Sequence, residues 1–194
     1  ANFMHLADPI DQEEWNAQYI ALNAPGFIAG NFMGYQWFDL YPNGIYIADA
    51  GPKEFGKIQT EINESVKKII NTILFYCDNF DLALDDCILM GFSQGGMMTF
   101  EVGNFLKKKL AGLAILSGRI INNKPIENSI LQETPIFISH GEKDEVIPIS
   151  SFFHAKEFLK TNKCNFESHI LVEDGHNISQ ETITLLQNFI KKIL

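Results

Sequence analysis

Positive charge is scarce in this sequence. Lysine and arginine number 15 against 24 aspartates and glutamates, a net charge of −9. That balance excludes a nucleic-acid partner, because gripping a phosphate backbone takes a basic surface. The one dense basic run, Lys107-Lys108-Lys109, stands where a helix is expected to close, and cations suit a helix C-terminus. Cysteine is scarcer still. Cys77, Cys87 and Cys164 are odd in number and form no Cys-x-x-Cys pair, which fits buried, inert thiols in a reducing, cytoplasmic setting. No His, Cys and carboxylate residues share metal-ligand spacing, so no metal is expected. The glycines follow neither a Walker nor a dinucleotide pattern, and no cofactor is expected. No apolar run is long enough for stable insertion in a membrane, and no signal peptide is visible.

What is present is ordinary globular material: 194 residues, 46% apolar and 20% charged, enough for one domain with a good core. Helical and strand patterns alternate, as a mostly parallel sheet with crossover helices requires. A helix is expected over 4–18 and a short strand over 19–23. Over 55–79, Ile58, Ile62, Val66, Ile69, Ile73 and Leu74 make an apolar stripe at spacings of three and four, which predicts an amphipathic helix. A strand over 86–91 leads to a helix over 94–109. Strands follow over 113–116 and 136–139, a helix over 150–161, a strand over 166–172 and a last helix over 180–194. Ser179 is the expected N-cap of that last helix, with Glu181 in its first turn.

The chemistry lies at the strand ends. Residues 91–96 read Gly-Phe-Ser-Gln-Gly-Gly, directly after an apolar strand. A strand that turns this sharply into a helix needs small residues, and Ser93 is thrust out on the strained turn as a nucleophile. The following helix points its positive end there, so the Gln94 N–H is placed to hold an oxyanion. Downstream, an apolar strand ends in Ser139-His140-Gly141, with Asp144 in the loop beyond. A further strand ends in Glu173-Asp174-Gly175-His176. The order Ser93, Asp144, His176 is that of an α/β-hydrolase. All three follow strand C-termini, the edge at which open parallel sheets bind ligands. A serine hydroxyl needs a base to take its proton, and an imidazole oriented by a carboxylate supplies one.

Five ordered segments carry a family resemblance: Trp37-Phe38-Asp39 after Ala24-Pro25, Gly-Phe-Ser-Gln-Gly-Gly at 91–96, Ala-Ile-Leu-Ser-Gly at 114–118, His-Gly-Glu-Lys-Asp-Glu-Val-Ile-Pro at 140–148, and Asp-Gly-His-Asn-Ile-Ser at 174–179. From about residue 15 onward the chain resembles the small α/β-hydrolases of the carboxylesterase, lysophospholipase and acyl-protein thioesterase family. The resemblance implies an α/β-hydrolase fold with helices on both faces of the sheet. It implies Ser93 as nucleophile, Asp144 as orienting acid, His176 as base and the Gln94 N–H as one oxyanion donor. It further implies cleavage of carboxylic esters or thioesters, with small acyl esters, lysophospholipids or acylated proteins as substrates. The family also begins with a strand ending in Leu-His-Gly-x-Gly, whose loop gives a second oxyanion N–H. No such segment precedes Asn2, so a single domain lacking its N-terminal strand and His-Gly loop is expected. Assembly as a homodimer is compatible with this reading. A rival class is a non-catalytic acyl- or lipid-binding module with a remnant triad.

Two long loops, 24–54 and 117–134, remain. The first carries Phe27, Ile28, Phe32, Met33, Trp37 and Phe38. Phe27, Phe32, Trp37 and Phe38 are candidates for an acyl-binding wall, since ligand pockets are mostly apolar. They read equally well as cover for the sheet edge. Asp39 is expected to order that loop by accepting backbone N–H bonds. Asp144 is preferred to Glu142 and Glu145 by the Asp-x-Val-Ile-Pro pattern, with Val146 anchoring the loop. His140 is read as structural, and Asp174 as too close in sequence to orient His176.

Overall fold

The computed structural model describes residues 3–28, 34–47, 49–121, 124–127 and 129–194. In chain order its regular elements are α1 (Ala7–Ile10), β1 (Gly26–Phe27), β2 (Tyr35–Gln36), α2 (Pro52–Phe80), β3 (Ile88–Phe92), α3 (Gln94–Phe105), β4 (Gly112–Leu116), α4 (Ser129–Glu133), β5 (Ile136–Gly141), α5 (Ser150–Thr161), β6 (Phe166–Leu171) and α6 (Gln180–Ile193). Strands β3 to β6 form one sheet in the order β3-β4-β5-β6, every neighbouring pair parallel. A separate antiparallel ribbon pairs Gly26 with Gln36 and Phe27 with Tyr35.

The central strands β4 and β5 are buried along their whole length, as strands covered on both faces must be. Side chains alternate between two cores. Leu113, Ile115, Ile136 and Ile138 join Ile58, Ile62 and Val66 of α2, Met97 and Phe100 of α3, and Phe152 and Leu159 of α5. Ala114, Leu116 and Phe137 face the other way, onto Ile10 and onto Ile183, Leu186, Phe189 and Ile190 of α6. Helices therefore cover both faces, as an α/β-hydrolase fold requires.

The longest helix shows how local signals set its limits. Pro52 stands in its first turn, where a missing N–H costs nothing, and Glu54 Oε2 accepts the Gly51 N–H at 3.1 Å. At the far end Asp81 adopts the left-handed conformation (φ 55°, ψ 46°) and its N–H bonds the carbonyl of Cys77. The stripe Phe55, Ile58, Ile62, Val66 and Ile69 is buried; Leu74, expected to belong to it, is 45% exposed. Ser179 Oγ caps α6 by accepting the Thr182 N–H at 3.3 Å.

Three expectations need correction. The helix over 4–18 is broken into short turns: Asp11 is extended (φ −59°, ψ 148°), and Asn16 is left-handed (φ 46°). Residues 19–23 form no strand. Tyr19 packs on the core beneath α6 and Leu22 on the core beneath α2, so the apolar residues of this segment serve two faces in turn. Helix α3 ends at Phe105, not at 109, because Leu106 turns extended (φ −63°, ψ 143°). Leu106 and Leu110 then both enter the core. Lys107-Lys108-Lys109 is an exposed connection rather than a helix end.

Backbone crowding explains the glycine that opens the Gly-Phe-Ser-Gln-Gly-Gly segment. A Cβ on Gly91 would lie 2.1 Å from the Gly95 carbonyl oxygen and 2.6 Å from the Gly96 nitrogen. These are backbone atoms and cannot swing aside. Gly91→Ala is expected to cost about 2–3 kcal/mol, the upper part of the overpacking range. Urea unfolding followed by circular dichroism checks this: the midpoint should fall while the denaturant slope stays constant.

Candidate active site

The turn between β3 and α3 holds Ser93 at φ 55° and ψ −120°, a conformation that side-chain-bearing residues rarely adopt. It is fastened by the Ser93 N–H, which donates to the Leu116 carbonyl at 2.8 Å, and by the Ser93 carbonyl, which accepts from the Met97 N–H at 3.1 Å. The hydroxyl projects toward the C-terminal edge of the sheet. Two other chain segments arrive there. One leaves β5 at Gly141, and the other leaves β6 at Leu171. They come very close, since a Cβ on Gly141 would lie 2.3 Å from the Gly175 carbonyl oxygen. Only a glycine lets the loop carrying Asp144 lie against the loop carrying His176.

The three side chains meet in a line. His176 Nε2 is 3.0 Å from Ser93 Oγ, and His176 Nδ1 is 2.7 Å from Asp144 Oδ2. The imidazole packs on the Phe92 ring, centroids 4.7 Å apart. The carboxylate of Asp144 is fully buried, and the imidazole is 18% exposed. Asp144 Oδ1 accepts the N–H groups of Val146 and Ile147, each at 2.8 Å. With Nδ1–H donating to Asp144, Nε2 is left as the acceptor for the serine proton.

Neighbouring acids point elsewhere. Glu142 and Glu145 are exposed. The Asp174 carboxylate lies 3.5 Å from the hydroxyl of Thr182. The residue that anchors the acid loop is Ile147, fully buried, and not Val146, which is 38% exposed.

His140 has more to do than its place in the sequence suggested. It is 1% exposed, and its Nε2 lies 2.8 Å from the Ile147 carbonyl and 3.4 Å from Asp144 Oδ2. A neutral ring with Nε2–H donates to the carbonyl and leans on the carboxylate. Burial pushes its pKa below the ordinary 6.5, the positive field of a charged His176 pushes the same way, and the Ile147 carbonyl and Asp144 oppose it. No local signal in the sequence predicts this contact, because it depends on the loop folding back onto the strand end.

Gln94, the first residue of α3, sits where an α-helix leaves its N–H groups without intrahelical partners. Its side chain makes two contacts that the sequence did not reveal. Oε1 accepts the Trp37 N–H and Nε2 donates to the Phe38 carbonyl, both at 2.8 Å. The candidate wall residues divide. Phe38 is 1% exposed and belongs to the core, so for this side chain the sheet-cover reading replaces the wall reading. Trp37 is partly buried against the same core, whereas Phe27 is 66% exposed. Phe32 lies outside the described residues. Asp39 Oδ1 accepts the Tyr41 N–H at 2.9 Å and so orders its own loop, as expected.

Thiol chemistry does not compete. Burial and the neighbouring Cys77, whose sulfur is 3.3 Å away, push the Cys87 thiol up to about 12, and burial pushes Cys164 up to about 11. Among the described residues no group of three or more His, Cys, Asp or Glu side chains is placed to hold a metal ion, and no helix is long and apolar enough to cross a membrane. A cavity of about 550 Å3 lies by the N-terminal ends of β4 to β6, lined by Lys109, Asn165, Glu167 and Lys192, at the opposite sheet edge from Ser93.

Comparison with known proteins identifies the family. The model of the phospholipase/carboxylesterase family matches residues 4–194. The chain belongs to that family. It is 29% identical to acyl-protein thioesterase 1 of Debaryomyces hansenii, an alignment covering 100% of this chain and 81% of the relative. Against acyl-protein thioesterase 1 of Saccharomyces cerevisiae the identity is 27%, covering 100% and 85%. Among solved structures, SOBER1 of Arabidopsis thaliana superposes with a TM-score of 0.78 at 22% identity, covering 98% of this chain and 91% of that one. The Bacillus cereus carboxylesterase gives a TM-score of 0.78 at 14% identity, covering 99% and 82%. Those two likenesses show the α/β-hydrolase fold. Family membership makes the chain a hydrolase of the esterase and thioesterase kind.

The displaced pKa of His140 has a stability consequence. Its folded value is depressed, so the unfolded chain binds the extra proton over the window between the folded value and about 6.5. The resulting stabilisation is complete above that window and is lost as pH falls through it. Melting temperatures measured from pH 7.5 to 5 should therefore fall more steeply for the wild type than for His140→Phe, although the variant melts lower at neutral pH with the Ile147 carbonyl left unpaired. Parallel slopes would contradict a buried neutral His140.

Proposed function

We propose that this chain hydrolyses carboxylic esters or thioesters through an acyl-enzyme on Ser93. The observation that carries the reading is the continuous pair of contacts, 3.0 Å from serine to imidazole and 2.7 Å from imidazole to a buried carboxylate. Ser93 Oγ attacks the acyl carbonyl carbon as its proton passes to His176 Nε2. The imidazolium that forms is stabilised by Asp144, which keeps its negative charge throughout. The oxyanion of the tetrahedral intermediate is held by the Gln94 N–H at the start of α3, where the positive end of the helix favours it. Collapse expels the alcohol or thiol, which takes the proton from His176. Water then attacks the acyl-enzyme, giving its proton to His176, and Ser93 is restored as the carboxylic acid leaves.

Small acyl esters, lysophospholipids and acylated proteins are the substrate classes that suit this site. The thioesterase relatives favour a thioester on an acylated protein. A thiol is also the easier leaving group, asking less of His176 as an acid. Phe27 and Trp37 supply apolar surface for the acyl chain, and Phe32 is proposed with them from its place in the same loop.

A fluorophosphonate probe should label the wild-type chain and leave Ser93→Ala unlabelled, with p-nitrophenyl acetate hydrolysis falling to background in the same variant. Hydrolysis surviving in a clean Ser93→Ala preparation would sink the assignment. Asp144→Asn should lower kcat by about 10⁴, because an amide in that place favours the wrong imidazole tautomer. Glu142→Gln and Glu145→Gln serve as controls, and a larger loss in either would identify a different acid.

A further inference from the structure

Gln94 has a second contact set that the reaction above does not use. Its primary amide pairs with two consecutive backbone groups of a segment 57 residues away in sequence, accepting from Trp37 N–H and donating to Phe38 C=O. Both bonds are 2.8 Å and partly buried, so water competes poorly for them. The same segment is pinned from its other side by α2. Ser65 Oγ donates to the Trp37 carbonyl at 2.6 Å, and the Asp39 N–H donates to Glu61 Oε2 at 2.8 Å. The Phe38 side chain is sunk in the core between them. Residues 37–39 are thus held between the long helix and the turn that carries Ser93.

The ribbon β1–β2 adjoins this fixed segment directly, since Gln36 closes β2 one residue before Trp37. The ribbon carries the aromatic pair Phe27 and Tyr35, ring centroids 5.3 Å apart, 66% and 53% exposed. A two-stranded ribbon is at best marginally stable by itself, so its position is inherited from whatever holds its ends. At one end that hold is Gln94.

We infer that the Gln94 side chain is a positioning residue that fixes the aromatic ribbon relative to the oxyanion donor, so that one residue sets both the carbonyl position and the acyl-chain surface. The ligand is the aliphatic tail of a medium- or long-chain ester or thioester. The inference rests on Ser93 being the nucleophile. Glutamine suits both bonds: glutamate keeps an acceptor but loses the donor and places a charge against the Phe38 carbonyl, while methionine keeps the length and loses both. In every variant the backbone N–H of residue 94 is retained, which separates the side chain's contribution from that of the oxyanion donor.

The test measures kcat and KM for p-nitrophenyl acetate and p-nitrophenyl octanoate in wild type, Gln94→Met, Gln94→Glu and Ser65→Ala, with circular dichroism to establish folding. The octanoate-to-acetate ratio of kcat/KM should fall about fivefold or more in both Gln94 variants, with the loss in octanoate KM, since each methylene that leaves its surface forfeits part of its burial energy. Ser65→Ala, which loosens the same segment from the helix side, should lower the ratio about twofold. A residue that matters only for stability would lower the melting temperature and leave the ratio alone. An active wild type whose ratio is unchanged in folded Gln94 variants overturns this inference by itself. If neither Gln94 variant folds, the Ser65→Ala ratio decides, a fall supporting the inference and no change overturning it. A wild type that neither turns over ester nor takes the fluorophosphonate probe overturns the proposed function and this inference with it.

Discussion

A fully buried carboxylate must be met by donors on every side, and in this molecule that requirement falls on Asp144. Two backbone N–H groups close a tight turn onto Oδ1, the His176 imidazole donates to Oδ2, and the His140 ring packs 3.4 Å from the same oxygen. The donors come from two places, the loop itself and the loop after β6 through His176, while His140 at the end of β5 gives its N–H to the Ile147 carbonyl and so holds the loop from behind. Removing any of them leaves a buried charge short of a partner, which costs more than the bond contributed when made. The ends of β5 and β6 are therefore tied together by the desolvation of one side chain. The serine that His176 then reaches lies across β4, in the turn that follows β3.

The sequence made the frame legible wherever the signal was local. The helix over 150–161 is realised as Ser150–Thr161, and α2 follows its stripe of apolar residues, because each depends on periodicity along one face and on nearby capping groups. The order of serine, acid and histidine was legible too, since each follows a strand in a parallel sheet. Other features were out of reach. The segment 19–23 has the short apolar run of a strand, but Tyr19 and Leu22 pack against different cores and it pairs with no strand among the described residues. Lysines at 107–109 look like a helix end, yet Leu106 and Leu110 pull the chain inward four residues early. Phe38 was indistinguishable from the aromatics around it until burial separated them. The contacts of Gln94 and His140 join residues through folded geometry, and composition and spacing carry no record of them.

The acid loop and the elbow solve the same problem by different means. At Asp144 the cost is desolvation, and it is offset by hydrogen bonds from atoms that would otherwise bond water. At Ser93 the cost is conformational: a non-glycine residue at φ 55° and ψ −120° carries strain of about 1–3 kcal/mol. That strain is sustained because the surroundings leave no lower alternative. The Ser93 N–H is committed to Leu116 and its carbonyl to Met97, and the backbone of Gly95 stands where any side chain on Gly91 would have to go.

The two costs are coupled through His176. Relaxing Ser93 toward an ordinary helical or extended conformation would swing Oγ away from Nε2 and leave Asp144 as the imidazole's one hydrogen-bond partner among the described residues. It would also turn the first N–H of α3 away from the position proposed for the oxyanion. Since Gln94 binds the Trp37–Phe38 backbone through its side chain, the same movement would carry the aromatic ribbon with it. Strain at one residue is thereby held in place by contacts spread over α2, β4 and the loop after β6. This is why a backbone conformation that is costly in isolation can serve as the rigid centre of the site.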